Sequence, residues 1–97
     1  MLLSDLFAKI APEMTFTGSA NRLITDSRNV SQGDVFIAIK GTTQDGHDYI
    51  NDAVKAGAVA VVAEADCDTG KTPLVKTGNS RLTLSKLAAV MSGPNRG

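Results

Sequence analysis

The residues of this sequence best suited to chemistry fall in two short polar segments. Asp26-Ser27-Arg28 gathers an acceptor, a hydroxyl and a guanidinium directly after the run Arg22-Leu23-Ile24-Thr25. That run is short enough to be a strand, and strand ends are where α/β sheets usually hold ligands. Such a trio can read a pyrimidine edge or a ribose; equally, Asp26 and Arg28 can pair with each other and only brace a turn. The second segment, Gly41-Thr42-Thr43-Gln44-Asp45-Gly46, is a polar loop with a glycine at each end, where backbone turns sharply or approaches a ligand closely.

Other candidates fail on context. Gly70-Lys71-Thr72 follows an apolar run, as a phosphate-binding loop would, but Ala65 stands where that motif needs a glycine and Pro73 where it needs a helix. A solvated turn is expected there. His47 is the sole histidine, so no cluster of imidazoles can hold a metal. Placed at a helix start, it is expected to hydrogen-bond the loop it closes or to orient a substrate. Cys67 is the only cysteine and lies between Asp66 and Asp68, which disfavour a thiolate. Glu64, Asp66, Asp68 and Asp45 lack metal-loop spacing and read as a solvated face.

The elements that must carry these residues are legible in the apolar pattern. Leu3, Leu6, Phe7 and Ile10 recur on one helical face, with Ser4 or Asp5 available as cap and Pro12 as stop. After the turn Ser31-Gln32-Gly33-Asp34, the run Val35-Phe36-Ile37-Ala38-Ile39 reads as a strand covered on both faces. Ile50, Ala53, Val54 and Gly57 mark a second helix, with Asp48 as capping carboxylate and Gly57 as stop. Ala58-Val59-Ala60-Val61-Val62-Ala63 is a further buried strand, completing a strand-helix-strand unit whose strands should be parallel. Pro73-Leu74-Val75-Lys76 adds a short strand near an edge, and Leu84, Leu87, Ala88 and Met91 a third helix capped by Asn79 or Ser80. The expected fold is α/β: a small mixed, partly parallel sheet of about four to five strands flanked by about three helices.

Composition limits the partners. The 97 residues suit one domain, and a core of small aliphatic residues without Trp suits compact α/β layers. Ten basic and ten acidic residues cancel, removing the field on which non-specific nucleic-acid binding depends. With one cysteine, no export signal and no membrane-length apolar run, a soluble protein of a reducing cytoplasm is expected.

Taken together, Ile24-Thr25-Asp26-Ser27-Arg28, Gly33-Asp34-Val35-Phe36-Ile37-Ala38, Gly41, Asp45-Gly46-His47-Asp48-Tyr49-Ile50, Ala53 and Gly57-Ala58 occur in an order and spacing that resembles the N-terminal domain of the Mur ligases. The resemblance is strongest to the UDP-N-acetylmuramoyl-tripeptide synthetases, the UDP-N-acetylmuramoyl-L-alanyl-D-glutamate ligases. It covers residues 1–92, with 93–97 as a linker cut short before an ATP-binding domain that lies outside this chain. Asn79-Ser80-Arg81 with Leu84, Leu87, Ala88 and Ala89 looks like the helix that leads into that domain.

The resemblance implies a cytoplasmic bacterial ligase of peptidoglycan synthesis, serving cell-wall biogenesis, cell shape and division. Its first domain binds the UDP end of a UDP-N-acetylmuramoyl-peptide, its central domain carries ATP and magnesium, and its last admits the amino acid. Carried over by position, Thr25, Ser27, Thr42, Thr43 and Gln44 would contact the uridine portion. No catalytic residue, metal ligand or cofactor falls to these 97 residues, which alone are expected to be inactive. Nucleic acid and membrane are not expected partners. Three alternatives stay open: the related ligase that adds D-alanyl-D-alanine, a stand-alone structural or interaction module of the same fold, and an unrelated small α/β nucleotide binder.

Overall fold

The structure is a computed structural model that describes residues 1–40 and 46–92. Its elements run α1 (Leu3–Leu6), β1 (Leu23–Ile24), β2 (Val35–Ile37), α2 (Ile50–Ala56), β3 (Ala60–Ala63), β4 (Leu74–Lys76) and α3 (Ser80–Ser92), with 3-10 turns at Ser27–Asn29 and Gly46–Tyr49. The four strands lie in sequence order, β1-β2-β3-β4, and all three pairings are parallel. The α/β reading with about four strands and three helices therefore holds, in a sheet more regularly parallel than expected.

The two inner strands explain themselves. Every residue of β2 and of β3 is buried, as their unbroken apolar runs require of strands covered on both faces. Side chains alternate across a strand, so one sheet produces two cores. Val35, Ile37, Ala60, Val62 and Val75 join Leu3, Leu6, Phe7 and Leu87 on the α1/α3 face. Phe36, Ala38, Val61 and Ala63 join Ile50 and Ala53 of α2 on the other. The edge positions of β1 and β4 agree with their shortness and with Pro73.

Two helix starts differ from expectation. Neither Ser4 nor Asp5 caps α1; its N-cap is Leu2, without a side-chain bond. The reason is tertiary, because Leu2 enters the helix from a bridge to Ser19 and the Leu3 N–H donates to the Gly18 carbonyl at 3.1 Å. The regular helix ends at Leu6, and beyond it the bonds shift toward i→i−3, as in Ile10 N–H to Phe7 O at 3.1 Å. Phe7 there stacks on Phe16 with centroids 4.9 Å apart. Nor does Asp48 cap α2, whose N-cap is Tyr49 with no side-chain bond; the 3-10 turn Gly46–Tyr49 runs straight into the helix instead. At its other end Gly57 closes the helix with φ 111°, the left-handed stop expected of it.

Candidate functional site

Because all four strands are parallel neighbours, the chain leaves each of them at the same edge of the sheet. Leu23 pairs with Val35 and Ile24 with Phe36, so Thr25 and Ser27 after β1 and Ala38-Ile39-Lys40 after β2 emerge side by side. The tips of β3 and β4 add Glu64 and Thr77, and the heads of α2 and α3 return to this edge. This is the end of the sheet at which open α/β folds hold ligands.

At the β1 tip, Asp26 and Arg28 do pair. The carboxylate of Asp26 accepts from Arg28 N–H at 3.0 Å, from Nε at 3.1 Å and from a terminal guanidinium nitrogen at 2.8 Å. These bonds from the Arg28 side chain and then its backbone hold the Asp26 carboxyl below the usual carboxylate range. The pair braces the 3-10 turn Ser27–Asn29, and Val30 behind it is buried with Ile50 and Ala53, seating the turn on α2. With Asp26 and Arg28 committed to each other, the hydroxyls of exposed Thr25 and half-buried Ser27 make no hydrogen bond among the described residues and stand as the neutral donors of this tip. Thr42, Thr43 and Gln44, the other expected contacts, lie outside the described residues.

His47 bonds across the edge, and the loop before it, residues 41–45, lies outside the described residues. Its Nε2 accepts from the backbone N–H of Glu64 at 2.9 Å. Glu64, Asp66 and Asp68 are exposed as expected, Asp45 lying outside the described residues, but they are not idle: Asp66 pairs with Lys76 at 3.1 Å and Asp68 accepts from Gly70 N–H at 3.0 Å. Glu64 corrects the reading of a merely solvated face. Its Oε2 accepts from Ser80 N–H at 2.8 Å, a bond to the buried head of α3 across 16 residues that no local spacing announces. The Asn79 cap is present, Oδ1 accepting from Leu82 N–H at 3.0 Å.

The Gly70-Lys71-Thr72 segment lacks the geometry of a phosphate-binding loop. Gly70-Lys71-Thr72 is a turn closed by Thr72 N–H to Thr69 O at 3.0 Å, and it runs into β4 instead of opening a helix, so its amides form no phosphate cradle. No group of three His, Cys, Asp or Glu side chains among the described residues could hold a metal ion. A groove of about 780 Å³ opens between α1 and α3, lined by Leu6, Lys9, Ile10, Lys86 and Val90 among others, and of the strand-tip residues it takes in Thr77 alone.

Asp34 reads in the sequence as part of a turn, and its role emerges only in the fold. It is 1% exposed at the opposite end of the sheet and is gripped by Arg22 through Nε at 3.3 Å and a terminal nitrogen at 2.7 Å. A charged residue at the mouth of an apolar run is an ambiguous signal, since only the fold brings Arg22 to it.

The chain matches the model of the Mur ligase family, catalytic domain, over residues 21–93. It is 39% identical over 100 aligned residues to the UDP-N-acetylmuramoyl-L-alanyl-D-glutamate--2,6-diaminopimelate ligase of Geobacter sulfurreducens, covering 96% of this chain and 19% of that protein. Its structure is similar to that of MurF from Acinetobacter baumannii, with a TM-score of 0.78, 25% identity, and coverage of 92% of this chain and 20% of that one. It is also similar to the MurF ligase of Thermotoga maritima in complex with ADP, with a TM-score of 0.65, 39% identity, and coverage of 71% and 16%. The chain thus spans about a fifth or less of each of these proteins. With a family match over most of its length, and the same layered parallel fold in solved members, this chain belongs to the Mur ligase family.

Proposed function

We propose that the chain is the N-terminal substrate domain of a peptidoglycan-forming ligase and binds the UDP end of UDP-N-acetylmuramoyl-dipeptide. Thr25 and Ser27 at the tip of β1, with Thr42, Thr43 and Gln44 following β2, supply the contacts to uridine. The observation that supports this reading is the parallel pairing of β1 with β2, by which Thr25 and Ser27 after β1 and Ala38 to Lys40 after β2 leave the sheet from one edge. The hydroxyls of Thr25 and Ser27, without partners among the described residues, are neutral groups suited to a base or ribose. ATP and magnesium then belong to the rest of the ligase, which joins an amino acid to the peptide carboxylate in the cytoplasm. The 97 residues bind substrate without catalysing the reaction.

The curated relatives are ligases of UDP-N-acetylmuramoyl-L-alanyl-D-glutamate, which favours the dipeptide substrate. The likeness to MurF structures favours a second reading, the substrate domain of the D-alanyl-D-alanyl-adding enzyme. Titration with UDP-N-acetylmuramoyl-dipeptide and with the corresponding tripeptide, followed by amide NMR, tests both. Shifts at Thr25, Ser27 and Thr42 to Gln44 are expected with the dipeptide; shifts with the tripeptide alone favour the second reading. No shift at millimolar concentration of either ligand means that the domain does not bind by itself.

A further inference from the structure

The strand-tip edge holds a short relay that the uridine contacts do not use. His47 Nε2 accepts from the backbone N–H of Glu64, the first residue after β3. The side chain of the same Glu64 accepts from Ser80 N–H, the first residue of α3. Ser80 is fully buried and its hydroxyl has no hydrogen-bond partner among the described residues. The N–H of this buried residue is shielded from solvent and is satisfied by Glu64, while Asn79, Arg81 and Leu82 around it stay exposed. An imidazole nitrogen accepts only when unprotonated, so His47 carries its ring proton on Nδ1.

We infer that His47 is a positioning residue: by pinning the backbone at the β3 tip it aims the Glu64 carboxylate at α3 and couples the head of α2 to the head of α3. The two bonds are separable, because one uses the main chain of Glu64 and the other its side chain. As the relay spans the edge from which Thr25 and Ser27 project, its loss loosens nucleotide binding there; this part rests on the uridine reading above.

Backbone amide exchange and UDP titration of the 97-residue chain test it together. In His47→Ala, exchange should rise at Glu64 and also at Ser80, which His47 does not touch, and UDP should bind about fivefold more weakly, the size of one net hydrogen bond. His47→Gln, whose carbonyl can accept from Glu64, should restore both. Glu64→Ala should raise exchange at Ser80 alone and leave the His47 ring in its Nδ1–H form by ¹⁵N NMR. Unchanged exchange at Ser80 in His47→Ala overturns the coupling, and so does failure of His47→Gln to restore it. Undiminished UDP affinity in His47→Ala overturns the positioning role. If the unsubstituted chain shows no UDP-induced shifts, the nucleotide half falls with the uridine reading, and exchange at Ser80 still decides the relay.

Discussion

Arg22 grips the buried carboxylate of Asp34 with both prongs of its guanidinium, at 3.3 and 2.7 Å, while the Ser31 N–H donates to the same carboxylate at 2.8 Å. The Asp34 N–H returns a bond to Ser31 O at 3.1 Å, and its carbonyl accepts from Val59 N–H at 2.8 Å. One residue thus ties β1, the turn before β2 and the approach to β3 at the end of the sheet away from the strand tips.

Burial would raise the Asp34 carboxyl, but the bonds from Arg22 and Ser31 outweigh it and hold the group below its ordinary value. A carboxylate whose folded value lies below its unfolded one contributes stability that is complete above the unfolded value, about pH 4. That contribution drains away as pH falls through the lower, folded value. Asp34→Asn should lower stability at neutral pH by about 1–3 kcal/mol, because donors that faced a carboxylate now face an amide. It should also flatten the acid limb of the stability profile. Urea midpoints measured from pH 7 downward check both, and an unchanged acid limb would assign acid sensitivity elsewhere.

Gly57 combines φ 111° with a position where an added Cβ would lie 2.7 Å from Gln32 Cα. Backbone cannot swing aside as a flexible side-chain end can. Gly57→Ala should therefore cost about 2–3 kcal/mol, combining left-handed strain with displacement of the Ser31–Asp34 turn. A thermal midpoint within a degree or two of the unsubstituted chain would contradict this geometry.

Leu87 and Leu82 test which side of α3 faces the sheet. Leu87 is 0% and Leu82 52% exposed. Leu87→Ala should destabilise by about 2–4 kcal/mol, and Leu82→Ala by about 0.5 kcal/mol or less. Chemical denaturation of the two variants side by side decides it, and equal losses would mean a rotated helix.

Asn79→Ala removes the acceptor for Leu82 N–H and should cost about 1 kcal/mol. Asn79→Asp, which keeps an acceptor and adds negative charge at a helix start, should cost nothing measurable. A loss in Asn79→Asp equal to that in Asn79→Ala would show that the side chain does more than cap.

Ser27→Ala should weaken binding of a UDP-sugar by about fivefold, the value of one hydrogen bond, and leave the urea midpoint unchanged, since its hydroxyl has no partner among the described residues. Calorimetric titration with parallel denaturation separates the two effects. Undiminished affinity would remove Ser27 from the contacts.

What could be read in the residues alone was whatever short-range physics dictates. The unbroken apolar runs at 35–39 and 58–63 required strands covered on both faces, and the pattern ending at Gly57 required a helix with a left-handed stop. The Asp26-Ser27-Arg28 cluster was visible as a strand-end group, and so was its dull explanation, which turns out to describe Asp26 and Arg28. Helix starts were less legible. Ser4, Asp5 and Asp48 are good capping types, yet the chain reaches α1 through a bridge and α2 through a 3-10 turn, so those side chains are not needed.

Only the tertiary structure decided which polar groups meet. Arg22 with Asp34, His47 with Glu64 and Glu64 with Ser80 are separated by 12, 17 and 16 residues, and each becomes a pair because parallel strands return the chain repeatedly to the same two ends of the sheet, the first pair at one end and the other two at the opposite end. Hydrophobic burial is nearly directionless and announces itself in sequence as periodicity. A hydrogen bond depends on distance and angle between particular atoms, and those exist only once the sheet is assembled.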